Sequence, residues 1–198
     1  MYYIVGLGNP GEQYARTRHN VGWLALDALV LKYNLPQPVS ARQASGRVTD
    51  GVIAGESVTV LYPDTFMNHS GTAVRKLVPK GAEATLVVVY DDVDIPLGEV
   101  KVSFGRGAGG HNGVESVIKS LGTKDFVRVR VGIAKTGFWP WEKGVVRRPS
   151  GGGALERHVL GKFSSREEAA LSRGLASVTT AIKTILESGY VKAMNQFN

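Results

Sequence analysis

Residues 86–98 read Leu-Val-Val-Val-Tyr-Asp-Asp-Val-Asp-Ile-Pro-Leu-Gly. The apolar, β-branched run 86–90 is the composition of a central strand. Asp91, Asp92 and Asp94 follow it directly, which places three acids at a strand end, and 95–98 read as a turn. Residues 2–6 form a second short apolar run, ended by Gly6. Between the two, 20–33 carry Val21, Leu24, Ala25, Ala28 and Leu29 at helical spacing, and Pro36 and Pro38 break that helix. Residues 48–61 read as paired strands around Gly51 and Gly55-Glu56, and 70–78 as a short helix stopped by Pro79. Beyond the acids come a strand over 99–104, a glycine-rich loop over 105–110 and a helix over 111–121. Residues 126–134 alternate as a strand with Arg128 and Arg130 on one face. Residues 136–156 hold Trp139, Trp141, Arg147-Arg148 and three consecutive glycines, and read as a long loop, with 138–153 expected to be extended and mobile. Ser165 to Glu168 fit a capping box opening a helix to about Ser188, with Gly189 as its stop. No repeat and no linker interrupts the alternation of strands and helices. The expected fold is α/β: one domain over 1–198, with helices on both faces of a twisted mixed, largely parallel sheet.

Composition bounds the function. The chain has 198 residues, 43% of them hydrophobic and 21% charged, enough to bury a core. It has no cysteine, which excludes disulfide frameworks, cysteine nucleophiles and metal–thiolate sites. No run of about 18 apolar residues is present, and the first residues show no secretory pattern, so a cytoplasmic location without membrane contact is expected. Residues 1–99 hold 8 basic and 10 acidic side chains, whereas 100–198 hold 16 basic and 7 acidic, a net of +9. A one-sided basic half fits a polyanionic partner, nucleic acid above all, or simply a basic protein.

Gly6-Leu7-Gly8-Asn9-Pro10-Gly11 has the form of a dinucleotide fingerprint. Pro10 inside the loop, no helical pattern from Gly11 onward, and Asp27 in mid-helix rather than at a second strand end all argue against it. A tight turn that fixes Asn9 at the end of the first strand remains. His19, in Thr17-Arg18-His19-Asn20, falls at the head of the 20–33 helix. It reads as a solvated helix-end residue or as a general base, which would need an orienting carboxylate. The three acids are candidates for that carboxylate, for a solvated turn or for a Mg²⁺ site. Alternation separates Asp91 from Asp92, which favours one acid on a histidine and the others capping the turn before Pro96. Asn68 and Asn112 stand at the heads of helices, as caps or as amides for an uncharged, peptide-like substrate. Serine-elbow, zinc-protease and phosphate-loop signatures are absent from the sequence, so histidine-assisted attack by water is the economical hydrolytic chemistry.

Taken in order, Gly6–Gly11 with Tyr14, Thr17–Gly22, Thr65–Gly71, Tyr90–Gly98, Gly109–Gly113 and Phe126–Gly132 resemble the bacterial peptidyl-tRNA hydrolase family, from Tyr3 to about Phe163. The resemblance implies cleavage of the ester between a peptide and the 3′-terminal ribose of tRNA, recycling tRNA from stalled translation. It also implies a monomer with neither metal nor other cofactor and no obligate protein partner. The family's catalytic histidine falls on His19 and its carboxylate on Asp91. Its site asparagines fall on Asn9, Asn68 and Asn112, and its cleft-lining residues on Tyr14 and Met67. Basic residues that grip tRNA phosphates map to Lys101 and Arg130. A further family lysine is Ser103 here, and Arg106 is its expected substitute. The 138–153 segment looks longer than the family's connection and is a surface insertion or, through Trp139, Trp141, Arg147 and Arg148, an RNA clamp. The alternatives are a non-catalytic RNA-binding relative, a metal-dependent phosphoesterase built on Asp91, Asp92 and Asp94, and a nucleotide-binding oxidoreductase.

Overall fold

A computed structural model describes residues 1–136, 146–149 and 151–198. The strands are β1 (Tyr2–Gly6), β2 (Val39–Ala41), β3 (Gly46–Ile53), β4 (Glu56–Pro63), β5 (Leu86–Pro96), β6 (Val100–Phe104), β7 (Val127–Thr136) and β8 (Val146–Arg147). The helices are α1 (Val21–Lys32), α2 (Ser70–Leu77), α3 (Asn112–Leu121), α4 (Ala154–Val159) and α5 (Glu168–Phe197). The sheet runs β2-β3-β4-β1-β5-β7-β6, with β8 added to the far end of β7. Its centre, β4-β1-β5-β7, is parallel, and its two flanks are antiparallel. This is the expected α/β architecture with a mixed sheet.

Alternation along β5 divides the core. Val87 and Val89 pack with Leu26 and Leu29 of α1 and Ile182 and Ile185 of α5. Leu86, Val88 and Tyr90 pack with Val74 of α2 and Val114 and Val117 of α3. A strand covered on both faces can be apolar throughout, which is why 86–90 carry no alternation of polarity. Among the described residues no helix is long and apolar enough to cross a membrane.

The head of α1 lies directly on the ends of β1 and β5. A Cβ on Gly22 would stand 2.5 Å from the Leu7 carbonyl oxygen and 2.6 Å from that of Val89, and one on Gly6 would stand 2.5 Å from the Gly22 oxygen. Only two bare backbones approach so closely, and this contact delivers residues 18–20 to the strand ends. Gly22→Ala is therefore expected to cost about 1–3 kcal/mol of stability by overpacking. Urea unfolding measures it, and an unchanged midpoint would contradict the close approach.

Several local expectations are corrected. β5 does not stop at Tyr90 but continues through the acids to Pro96, with a shift in register against β7 between Asp92 and Pro96, and the turn is confined to Leu97 and Gly98. Gly51 is no turn. It lies inside β3 opposite Val58, where a Cβ would press 2.5 Å from Leu35. The capping box sits one residue earlier than read, with Ser164 donating its N–H and its hydroxyl to the Glu167 carboxylate at 2.7 Å each. Gly189 interrupts α5 (φ 81°, ψ 161°), yet the helix resumes to Phe197 because Tyr190, Ala193 and Met194 still have core to cover. Within 136–156 the chain forms β8 and opens α4 at Ala154. Trp139, Trp141 and most of the 138–153 segment lie outside the described residues, as does the side chain of Arg147.

Candidate active site

The turn after β1 is locked by one asparagine. Asn20 accepts the Asn9 N–H at Oδ1 (2.9 Å) and donates Nδ2 to the Asn9 carbonyl (2.9 Å). Asn9 is buried and accepts the Met67 N–H at its own Oδ1 (2.8 Å), so its NH2 group is what it offers the cleft. Asn20 thus ties the β1 turn to the head of α1, and Asn9 ties that turn to the Met67–His69 turn. The sequence reading quoted Asn20 only as a neighbour of His19.

His19 stands on the single turn Arg18–Asn20 and donates Nδ1 to Asp91 Oδ1 at 2.8 Å. Its Nε2 has no hydrogen-bond partner among the described residues. Asp91 is 3% exposed on the same face of β5 as Val87 and Val89. A second imidazole reaches the same oxygen from the other side: His111 Nε2 lies 2.9 Å from Asp91 Oδ1. His111 is the N-cap of α3 and accepts the Val114 N–H at Nδ1 (3.2 Å). That acceptor role puts the ring's proton on Nε2, where it is donated to Asp91. Burial pushes the Asp91 carboxyl up. The charges of, and hydrogen bonds from, His111 and His19 outweigh it and hold the group well below the usual carboxylate range. The His19 and His111 rings are 5.0 Å apart between centroids, and Tyr90 meets His111 edge-on at 4.8 Å. His111 lay unread beside Asn112 in the sequence, although a histidine heading a helix next to a glycine-rich loop was the available signal.

His19, Asp91 and His111 offer one ligand atom each within 4.8 Å, the composition of a metal site. The donor chemistry does not suit an ion. To ligate through Nε2, His111 would have to move its proton to Nδ1, against the Val114 N–H that now caps α3. The other two acids serve elsewhere. Asp92 accepts Arg130 Nε at 2.8 Å and caps the Asp94 N–H at 2.8 Å, while Asp94 faces Arg148 at 3.5 Å.

These groups open into a cleft of about 1290 Å³. Asn9, Tyr14, His19, Met67, Asn68 and Asn112 all line it, as does Asp91. Neither outlying asparagine is a cap. Asn68 is the middle residue of the Met67–His69 turn, Asn112 is the first residue of α3 behind its His111 cap, and both are exposed. Arg106 and Arg130 line the cleft, and so does Lys124, which the sequence reading missed. Lys101, opposite Arg130 in register, stands outside the cleft lining. Ser103 is buried in the cleft wall at 3% exposure. Arg128, which alternation puts on the same face of β7 as Arg130, is fully buried. Asp27 sits within α1 and not at a second strand end, where a dinucleotide fold would need its acid.

A carboxylate held between two imidazoles in an open cleft, with neutral amides and cations in its walls, defines an acid–base enzyme on an α/β scaffold. The chain belongs to the peptidyl-tRNA hydrolase family, whose model matches residues 3–198. It is 39% identical over 202 residues to the peptidyl-tRNA hydrolase of Thermodesulfovibrio yellowstonii, covering 100% of this chain and 99% of that one. It is 41% identical over 197 residues to that of Synechococcus sp. strain JA-3-3Ab, covering 98% and 81%. The crystal structure of the peptidyl-tRNA hydrolase from Acinetobacter baumannii superposes with a TM-score of 0.83 at 29% identity, covering 100% and 94%.

Proposed function

We propose that the chain hydrolyses peptidyl-tRNA by water attack, with His19 as the base. The carrying observation is the 2.8 Å contact between His19 Nδ1 and a buried Asp91. With Nδ1–H engaged, Nε2 takes a proton from water as the water oxygen bonds to the ester carbonyl carbon. Asp91 fixes the tautomer and stabilises the imidazolium. When the tetrahedral intermediate collapses, the C–O bond to ribose breaks and the imidazolium returns the proton to the ribose oxygen. The products are a peptide acid and tRNA with a free hydroxyl.

The Asn9, Asn68 and Asn112 amides hold the peptide backbone, the developing oxyanion and the water, which neutral donors do without selecting for charge. Tyr14 and Met67 line the site beside the terminal nucleotide and the peptide. A site assembled from residues of one chain supports action as a monomer, and a translation substrate supports work in the cytoplasm. In H2¹⁸O, label should enter the released N-acetyl amino acid and not the tRNA. Release of phosphate or nucleotide, abolished by EDTA, would instead support the metal-dependent phosphoesterase, and tRNA binding without turnover the non-catalytic relative.

Arg106, Arg130 and Lys101 are assigned to the tRNA backbone. Arg130 already pairs with Asp92 and Lys101 stands outside the cleft lining, which leaves Arg106, together with Lys124, as an exposed cation of the cleft wall. Arg106→Ala is expected to flatten the plot of log affinity for tRNA against log salt by about one phosphate's worth. An unchanged slope would remove Arg106 from the interface.

A further inference from the structure

We infer that Arg128 is a positioning residue for the reaction: it holds the loop between β6 and α3 so that His111 and Asn112 arrive in register with Asp91. The inference rests on the hydrolase reading for its kinetic part only.

The loop, residues 105–111, has little to hold itself. Gly105, Gly109 and Gly110 sit at positive φ (66°, 61° and 83°). At Gly107, Gly109 and Gly110 no heavy atom lies within 4 Å of where a Cβ would stand. A segment packed on the core through little more than Ala108 is expected to wander, yet its end must set the His111 ring 2.9 Å from Asp91. Arg128 supplies the missing tie. Its Nη1 donates to the Gly107 carbonyl at 2.7 Å and its Nη2 to the carbonyl of Arg106. The guanidinium lies over the Phe126 ring, 4.6 Å from its centroid, and is 0% exposed.

Burying a cation is costly unless it is fully bonded. Here it is spent on two consecutive loop carbonyls, with no carboxylate partner among the described residues. A planar fork can span adjacent carbonyls, and an ammonium cannot do so with the same geometry. The guanidinium also neighbours the Tyr90 hydroxyl, whose pKa burial raises and the Arg128 charge lowers. Tyr90 in turn meets the His111 ring. Arg128 therefore supports His111 both through the loop and through Tyr90. Its Nε is buried without a partner among the described residues, and Arg128 belongs to the residues around the cleft, which makes direct contact with substrate the rival role.

Full-length Arg128→Lys and Arg128→Gln, assayed on an N-acetyl-aminoacyl-tRNA, separate the two roles. The expected result is a kcat lowered about 10–100-fold, as small misplacements in a site produce, with KM within about threefold and an unchanged salt slope for tRNA binding. Backbone order parameters should fall at 106–112 while those of α5 hold. This NMR readout needs no turnover, so it stands if the hydrolase reading fails. A raised KM with kcat intact and a slope reduced by about one would make Arg128 a substrate contact. Losses that track the unfolded fraction, with the loop as ordered as before, would make it merely structural. Either result overturns the inference. Should both variants fail to fold, the wild-type protein decides: slowly exchanging Arg128 Nη protons are expected, and rapid exchange would contradict the buried tie.

Discussion

Replacement of His19 by alanine is expected to lower kcat on an N-acetyl-aminoacyl-tRNA by at least about 10²–10⁴-fold, the usual contribution of a positioned general base. The fold should survive, because the ring is one partner of a cleft contact while the neighbouring backbone is pinned independently. Arg18 donates to Glu167 at 2.9 Å and to the Lys162 carbonyl at 3.0 Å, and Asn20 holds Asn9. Affinity for tRNA should change little, since His19 adds no phosphate contact. A melting temperature near wild type combined with a collapse in kcat is the signature. Near-normal turnover of the purified variant would remove His19 from the role of base.

The second large effect is at Asp91. Asp91→Asn keeps the size and removes the charge. One oxygen now accepts from both imidazoles. An amide turned the wrong way would present N–H to N–H and drive His19 to the other tautomer, with the proton on the nitrogen that must take one from water. A loss of about 10²–10⁴-fold in kcat is expected, approaching that of other histidine–aspartate pairs in which the tautomer is lost. The same group predicts a stability effect whose sign is fixed. Its pKa is lower in the folded than in the unfolded state. Its contribution is therefore fully present above the unfolded value of about 3.9 and is lost as pH falls below that toward the folded value. The stability gap between wild type and Asp91→Asn should be widest above pH ~4 and close in more acidic solution. A gap independent of pH would mean that Asp91 is not charged in the folded protein.

The sequence made the site's main axis legible because strand ends and helix heads are read from periodicity. A β-branched run followed by acids, and a histidine at the head of an amphipathic helix, suffice to bring a base and a carboxylate to one end of a sheet. The extent of β5 was not legible: acids usually end a strand, and only its pairing with β7 carries it to Pro96. The burial of Arg128 was not legible because alternation says which residues share a face and not what covers that face. Here the loop that covers it does so with backbone carbonyls of a glycine-rich stretch. His111 escaped because the glycine-rich loop gives no spacing from which to derive its approach to Asp91. The resumption of α5 after Gly189 follows from the core beneath Tyr190 and Met194, which local signals do not contain.

Hydrolysis of the peptidyl-tRNA ester by the His19–Asp91 pair without a metal is decided by the release of acetylated amino acid from an N-acetyl-aminoacyl-tRNA, with wild type, EDTA-treated wild type and His19→Ala run side by side. Release by wild type, undiminished by EDTA, and close to none by His19→Ala is the expected result. No release by a wild-type protein that still binds the tRNA, or release equal in the His19→Ala sample, would contradict it.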